Sequence, residues 1–204
     1  MGKFLEFVFN RFFLGMIATV FFWLLTLAGG VVFGLAPASA TLMSLYAEHG
    51  YTYRAYSLKE AWKLYKSNFV KSNLAFYSFV FVDLVLVYGL YLLVQLPHQT
   101  IFHLLATFLN ILVVAFVFLA YTVSLKLQVH YELSYRNTVK LALIGIFMNL
   151  PAIAKVLFGT VMLVGIGYYM PALLSFVGIG MWHFFISDML EPVYESIHEK
   201  LATK

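Results

Sequence analysis

Apolar residues run along this chain with few interruptions, and the sparse polar positions divide it into segments. The cleanest run, Leu74 to Leu96, holds no Lys or Arg and a single acid, Asp83. Its length suffices to cross a hydrocarbon layer of ~30 Å at about 1.5 Å per helical residue. Pro97 to Thr100 predicts a tight turn into a second long run, Ile101 to Leu127, which contains Asn110. Upstream, Phe12 to about Gly29 reads as a first span, broken by Gly29-Gly30. Pro37 suits the first turn of a short helix that Gly50 then ends. Downstream, Asn149-Leu150-Pro151 interrupts the pattern, because the residue before a proline avoids the helical region. Ala152 to Met170 and Ala172 to about Leu190 read as the last spans, turning at Pro171. Residues 191–204 are expected to form a short charged cytoplasmic tail.

Between the spans lie basic amphipathic segments. Residues 3–11 alternate aromatic and charged positions and suit a short interfacial helix. Residues 57–70 are better signalled. Ser57 and Glu60 stand at capping-box spacing. Trp62, Tyr65 and Phe69 share one face, and Lys59, Lys63 and Lys66 share another. The expectation is a basic amphipathic cytoplasmic helix lying on anionic lipid or docking on a partner protein, with Trp62, Lys63, Tyr65 and Lys66 making the contact. The stretch Ser134 to Ala142 echoes this segment, pairing Ser57 with Ser134, Lys63 with Lys140 and Leu64 with Leu141.

The pattern predicts an all-α fold: a polytopic helical membrane bundle, residues 1–204 forming one integral-membrane domain, with about six passes in three hairpins and five spans as the alternative. Charge favours six. All 13 Lys and Arg then fall on or near one membrane face, with Lys155 able to snorkel back to it. That face is expected to be cytoplasmic and to carry both termini, in the plasma membrane. Composition agrees: 63% of residues are hydrophobic and 11% charged, against about 25% charged in soluble domains. The net charge of +4 is gathered at one face, which argues for orientation in a lipid bilayer and against nucleic-acid binding. Ala36 to Ala40 imitates a signal-peptide cleavage site, but the preceding apolar run is too long and Pro37 lies inside the site, so an uncleaved segment is expected.

Candidate chemistry is sparse. Gly30 and Gly34 form a GxxxG pair continued by Ala36, Ala38 and Ala40; with Pro37 they are expected to shape a closely packed turn, since irregular backbone at membrane depth must be covered by protein. Asp83 lies in mid-run, where a carboxylate is costly and needs a partner. Asn110 on the neighbouring run is the expected one. The pair would act either as neutral interhelical glue or as a proton or cation relay, and the lack of a second acid at that depth favours glue. The histidines are scattered, and His183 with Asp188 reads as packing. There is no HExxH, GxSxG or P-loop, and no cysteine. No enzymatic activity, cofactor or metal is therefore expected.

Three stretches carry a family resemblance. Val32 to Ala40 (VFGLAPASA), the residues Ala61, Trp62, Tyr65, Lys66, Asn68, Phe69, Lys71 and Asn73, and Asn137 to Ala142 resemble motifs of the YesL-like family of bacterial integral membrane proteins. This chain has Ala36 and Ser39 where that family usually has Gly and Thr, and both remain small. Members are generally encoded beside carbohydrate ABC transport and glycan-degradation functions. The resemblance therefore implies a non-enzymatic accessory or regulatory role in a carbohydrate ABC-type uptake system, with ABC permease subunits as partners. The alternative is a small secondary transporter or channel that uses the broken helix near Gly34–Pro37 and Asp83.

Overall fold

In the computed structural model, which describes residues 2–96 and 100–202, all regular elements are helical. In chain order they are α1 (Gly2–Ala28), α2 (Leu35–His49), α3 (Leu58–Val94), α4 (Ile101–His130), α5 (Tyr135–Met148), α6 (Leu150–Tyr169), α7 (Pro171–Met189) and α8 (Glu191–Ala202). The expected turn at Pro97 to Thr100 falls at residues 97–99, outside the described residues.

Five helices, α1, α3, α4, α6 and α7, are long and apolar enough to cross a membrane. The short helix α2 is not among them: its 15 residues reach only about 22 Å. It is instead the inner leg of the first of three hairpins, α1/α2, α3/α4 and α6/α7. Nine of its residues are buried, from Ala36 to Tyr46. The six expected passes thus resolve into five helices of spanning length and one short leg enclosed by protein.

Two apolar clusters hold the bundle. One joins α1, α2 and the start of α3 through Leu14, Ala18, Leu25, Leu42, Leu45 and Tyr65. The other joins the end of α4 to α5, α6, α7 and α8 through Leu119, Val123, Ile146, Val156, Leu190 and Ile197. Helix α7 ties them together: Phe184 belongs to the first and Ile186 to the second. Five π-helical residues, Leu174–Gly178, interrupt it.

The turn from α1 to α2 shows why glycines stand where they do. A Cβ on Gly34 would collide with the backbone carbonyl of Thr26, and one on Gly29 with the Gly34 backbone, so glycine at both positions lets the two chain segments approach to backbone contact. Gly30 has a different role. It faces open space but has φ +68°, a conformation favouring glycine. Val31 follows at φ 65°, ψ −67°, and Val32 N–H donates to the Gly30 carbonyl at 2.8 Å, closing a γ-turn of the rare, strained hand. Of the expected GxxxG pair, then, Gly34 supplies close packing and Gly30 supplies backbone conformation, while Pro37 is buried in the first turns of α2.

Two expectations about α3 and the C-terminus need correction. Residues 57–70 are not a separate helix. Ser57 is the N-cap, but its side chain makes no capping bond, and α3 continues unbroken for 37 residues. No Pro or Gly falls between Leu58 and Tyr88, so nothing ends the helix before the apolar run begins. The expected tail, residues 191–204, is helix α8 over its described part. Val193 and Ile197 dock it against Gly145 of α5, whose missing side chain makes room for them.

Candidate functional site

The ends of α2, α4 and α7 and the start of α3 meet at one end of the bundle, where most of its polar chemistry gathers. Tyr46 and Tyr51 donate to the two oxygens of Asp188, at 2.5 and 2.8 Å. The Tyr46 ring stacks on buried Phe184, and the Arg11 guanidinium lies 3.8 Å from the Tyr51 ring centroid. Tyr56 donates to the Gly50 carbonyl at 2.8 Å. Burial pushes the Tyr51 hydroxyl above its ordinary range and the Asp188 carboxylate adds to this, while hydrogen bonding with Tyr46 and the charge of Arg11 oppose it. Burial, with a smaller contribution from Tyr51, pushes Tyr56 up as well. Both hydroxyls are thus held as neutral donors.

Beside this cluster Lys126, 3% exposed, donates to Ser187 Oγ at 3.0 Å and to Glu191 Oε2 at 2.6 Å. Lys71 donates to the Tyr131 carbonyl at 3.2 Å. Between α2, α3 and the end of α4 opens a cleft of about 740 Å³, whose polar lining includes Ser44, Glu48, Ser67, Asn68, Lys71 and Glu132. His49 Nε2 lies 3.0 Å from both Glu60 oxygens, and Glu48 stands near enough that the three could surround a cation. Glu60 is therefore engaged by His49 and does not close the expected capping box with Ser57.

The expected docking residues separate. Trp62, Lys63 and Lys66 line an open groove on α3, with the Lys66 ammonium 5.2 Å from the Trp62 ring centroid. Tyr65 does not join them. It is 3% exposed and packs in the first cluster, beside Gly29 and under the stacked Trp62 ring. Its neighbours farther along α3 hold the α1/α2 turn: Asn73 donates to the Phe33 carbonyl and Tyr77 to the Val32 carbonyl.

Asp83 and Asn110 are not joined either. Asn110 packs its amide near Gly89, and Asn110 Oδ1 and Asp83 Oδ1 are each buried with no hydrogen-bond partner among the described residues. Asp83 instead opens onto a crevice of about 240 Å³ where α2, α3, α4 and α7 converge. Leu35 and Ser39 at the start of α2 line it, as do Phe79, Phe118, Tyr121 and Trp182. The region near Gly34–Pro37 and Asp83 thus do meet, through Leu35 and Ser39.

Sequence reasoning missed the roles of Asp188 and Lys126. A Tyr-rich loop ahead of α3 was the available signal for the first. A lysine at the edge of an apolar run was the signal for the second, but snorkelling is the commoner fate of such a residue.

The helices define a polytopic helical membrane protein. Residues 16–90, covering the latter part of α1, all of α2 and most of α3, match the family described as "Protein of unknown function, DUF624". No curated protein and no solved structure matches the chain.

Proposed function

We propose that this protein is a non-enzymatic membrane accessory or regulatory subunit that docks laterally on a partner through the α3/α4 hairpin. One observation carries the reading. No residue of α3 after Ala75 and none of α4 before Leu119 is fully buried, and large apolar side chains stand exposed along both helices. Phe81, Val85, Tyr88, Leu104 and Phe108 are examples, each more than half exposed. Helices in lipid associate largely by shape, which these exposed aromatic and aliphatic side chains supply. The exposed Trp62, Lys63 and Lys66 groove provides a second contact near the membrane surface, for lipid headgroups or for the same partner.

ABC permease subunits of a carbohydrate uptake system are the partner we favour, and the plasma membrane with cytoplasmic termini is the matching location. This rests on the YesL-like motifs, which fall partly within the region matching DUF624. Affinity purification of the full chain in mild detergent tests it. Permease subunits are expected to co-purify and to be lost from a Phe81→Ala, Leu104→Ala, Phe108→Ala variant that still inserts. A protein recovered alone, with or without these substitutions, overturns the reading. The second reading, a small secondary transporter or channel, is favoured by Leu35, Ser39 and Asp83 lining one crevice, and predicts substrate-dependent flux in vesicles holding this protein alone.

A further inference from the structure

The loop between α2 and α3 brings together Glu48, His49 and Glu60, none of which the proposed role uses. His49 and Glu60 are 11 positions apart, yet His49 Nε2 lies 3.0 Å from each oxygen of the Glu60 carboxylate. A carboxylate oxygen of Glu48 completes the group, and the three donor atoms all lie within 4.8 Å of one another. His49 and Glu60 are held in place but reachable, their side chains 20% and 28% exposed. The His49 ring lies 5.9 Å from that of Tyr56, whose hydroxyl is anchored on the Gly50 carbonyl. Glu48 is exposed and borders the cleft between α2, α3 and α4, so an ion can enter from solvent. Lys59 and Lys63 line the same groove as Glu60, but among the described residues no lysine or arginine lies in ion-pair contact with Glu48 or Glu60.

We propose that these three residues form a site for one divalent transition-metal ion of the zinc class, clasping the end of α2 to the first turn of α3. The geometry of the His49–Glu60 contact carries the inference. A single N–H aims at a lone pair of one oxygen, whereas this nitrogen stands equally far from both. Two ligands of one ion stand in that relation: a point just off the plane of the three atoms lies about 2.2 Å from all of them, a zinc–ligand distance. The donor set names the class of ion, since Ca2+ and Mg2+ prefer oxygen alone and imidazole suits zinc and its neighbours. The ion takes the place of the Nε2 proton, and the ring then carries its proton at Nδ1. The last turn of α2 adds the carbonyl end of a helix, where positive charge is favoured. Three protein donors leave a fourth position for water. Glu60 also lines the groove of Trp62 and Lys63, so the ion would fix one wall of that groove and neutralise the charge there. No metal motif has this spacing, which is why the sequence alone points away from a metal. The inference rests on neither reading of the protein's role.

Calorimetric titration of the full chain with Zn2+, in detergent and purified through a histidine-free tag, tests the site. One ion per chain is expected to bind with micromolar or tighter affinity and to raise the melting temperature. His49→Ala and Glu48→Gln are each expected to weaken binding by about tenfold or more. Glu48→Gln alters an exposed side chain, so its folded yield is expected to match that of the unsubstituted chain. Mg2+ and Ca2+ at the same concentration are expected not to compete. Unchanged Zn2+ affinity in either variant overturns the three-donor site and assigns the ion to histidines elsewhere on the chain. Competition by Ca2+ as strong as that by Zn2+ overturns the role of the imidazole. Absence of a saturable event in the unsubstituted chain overturns the proposal as a whole.

Discussion

Lys126 and Glu191 close the polar end of the bundle: they are 65 positions apart in sequence, and the ammonium of one lies 2.6 Å from the carboxylate of the other. The pair is lopsided, because the lysine side chain is 4% exposed and the glutamate 46%. Glu191→Ala leaves the buried ammonium with the Ser187 hydroxyl and the Tyr194 ring but no counter-charge, and is expected to destabilise by about 1–3 kcal/mol, below the full cost of breaking a buried pair because solvent reaches the carboxylate side. Lys126→Met removes the buried charge, keeps most of the volume and frees Glu191 to water. It is expected to cost less than about 1.5 kcal/mol. Thermal melting in detergent checks the ordering, with Glu191→Ala the lower-melting of the two.

The two glycines of the α1/α2 turn should respond differently to the same change. Gly34→Ala drives a methyl into the Thr26 backbone, which cannot rotate away, and is expected to cost ~3 kcal/mol or more. Gly30→Ala meets no atom and is charged only for its positive φ, about 1 kcal/mol. Folded yield and melting temperature of the two variants separate the roles.

Val31 offers the reverse case. A β-branched residue at φ 65° stores strain on the order of 1–3 kcal/mol, and glycine relieves it at an entropic cost of about 0.5–1 kcal/mol. Val31→Gly is therefore expected to raise the melting temperature, and an unchanged or lower one would show that no strain is relieved.

The tyrosines around Asp188 give a pH signature. Tyr51 and Tyr56 hold their protons to higher pH in the folded chain than in the unfolded one, where tyrosine titrates near pH ~10. Their contribution is fully present below that pH and is lost as pH rises through the folded values. Ultraviolet titration is expected to show these hydroxyls ionising late, together with loss of folded signal. Asp188→Asn offers one acceptor where two hydroxyls donate, so it is expected to destabilise by about 1–2 kcal/mol and to shift tyrosinate formation earlier.

The turns were legible in the sequence because each has a local cause. Gly29-Gly30 ends α1, Gly50 caps α2 with φ +53°, and Ser57 and Ser134 precede α3 and α5 as their N-caps. Which way a face points was not legible. Trp62, Tyr65 and Phe69 share a stripe, yet periodicity alone does not say whether protein or lipid covers it, and Tyr65 proved to face the core. The partner of Asp83 was not legible either. Two apolar runs joined by a turn fix an approximate depth but not a rotation, and the structure turns Asn110 toward Gly89 and Asp83 toward α2 and α7. The docking of α8 depends on Gly145, where the absence of a side chain carried no signal.

The continuity of α3 has a mechanical consequence. A 37-residue helix is a rod of about 55 Å, held by the bundle from Tyr65 to Phe79 and more exposed beyond. With Phe79 as the last anchored position, a tilt of about 5° displaces Val94 by roughly 2 Å, given the helical rise. The Lys63 groove before the anchored stretch and the more exposed part of the hairpin beyond it are thus carried on one rod, with Asp83 just past the anchor.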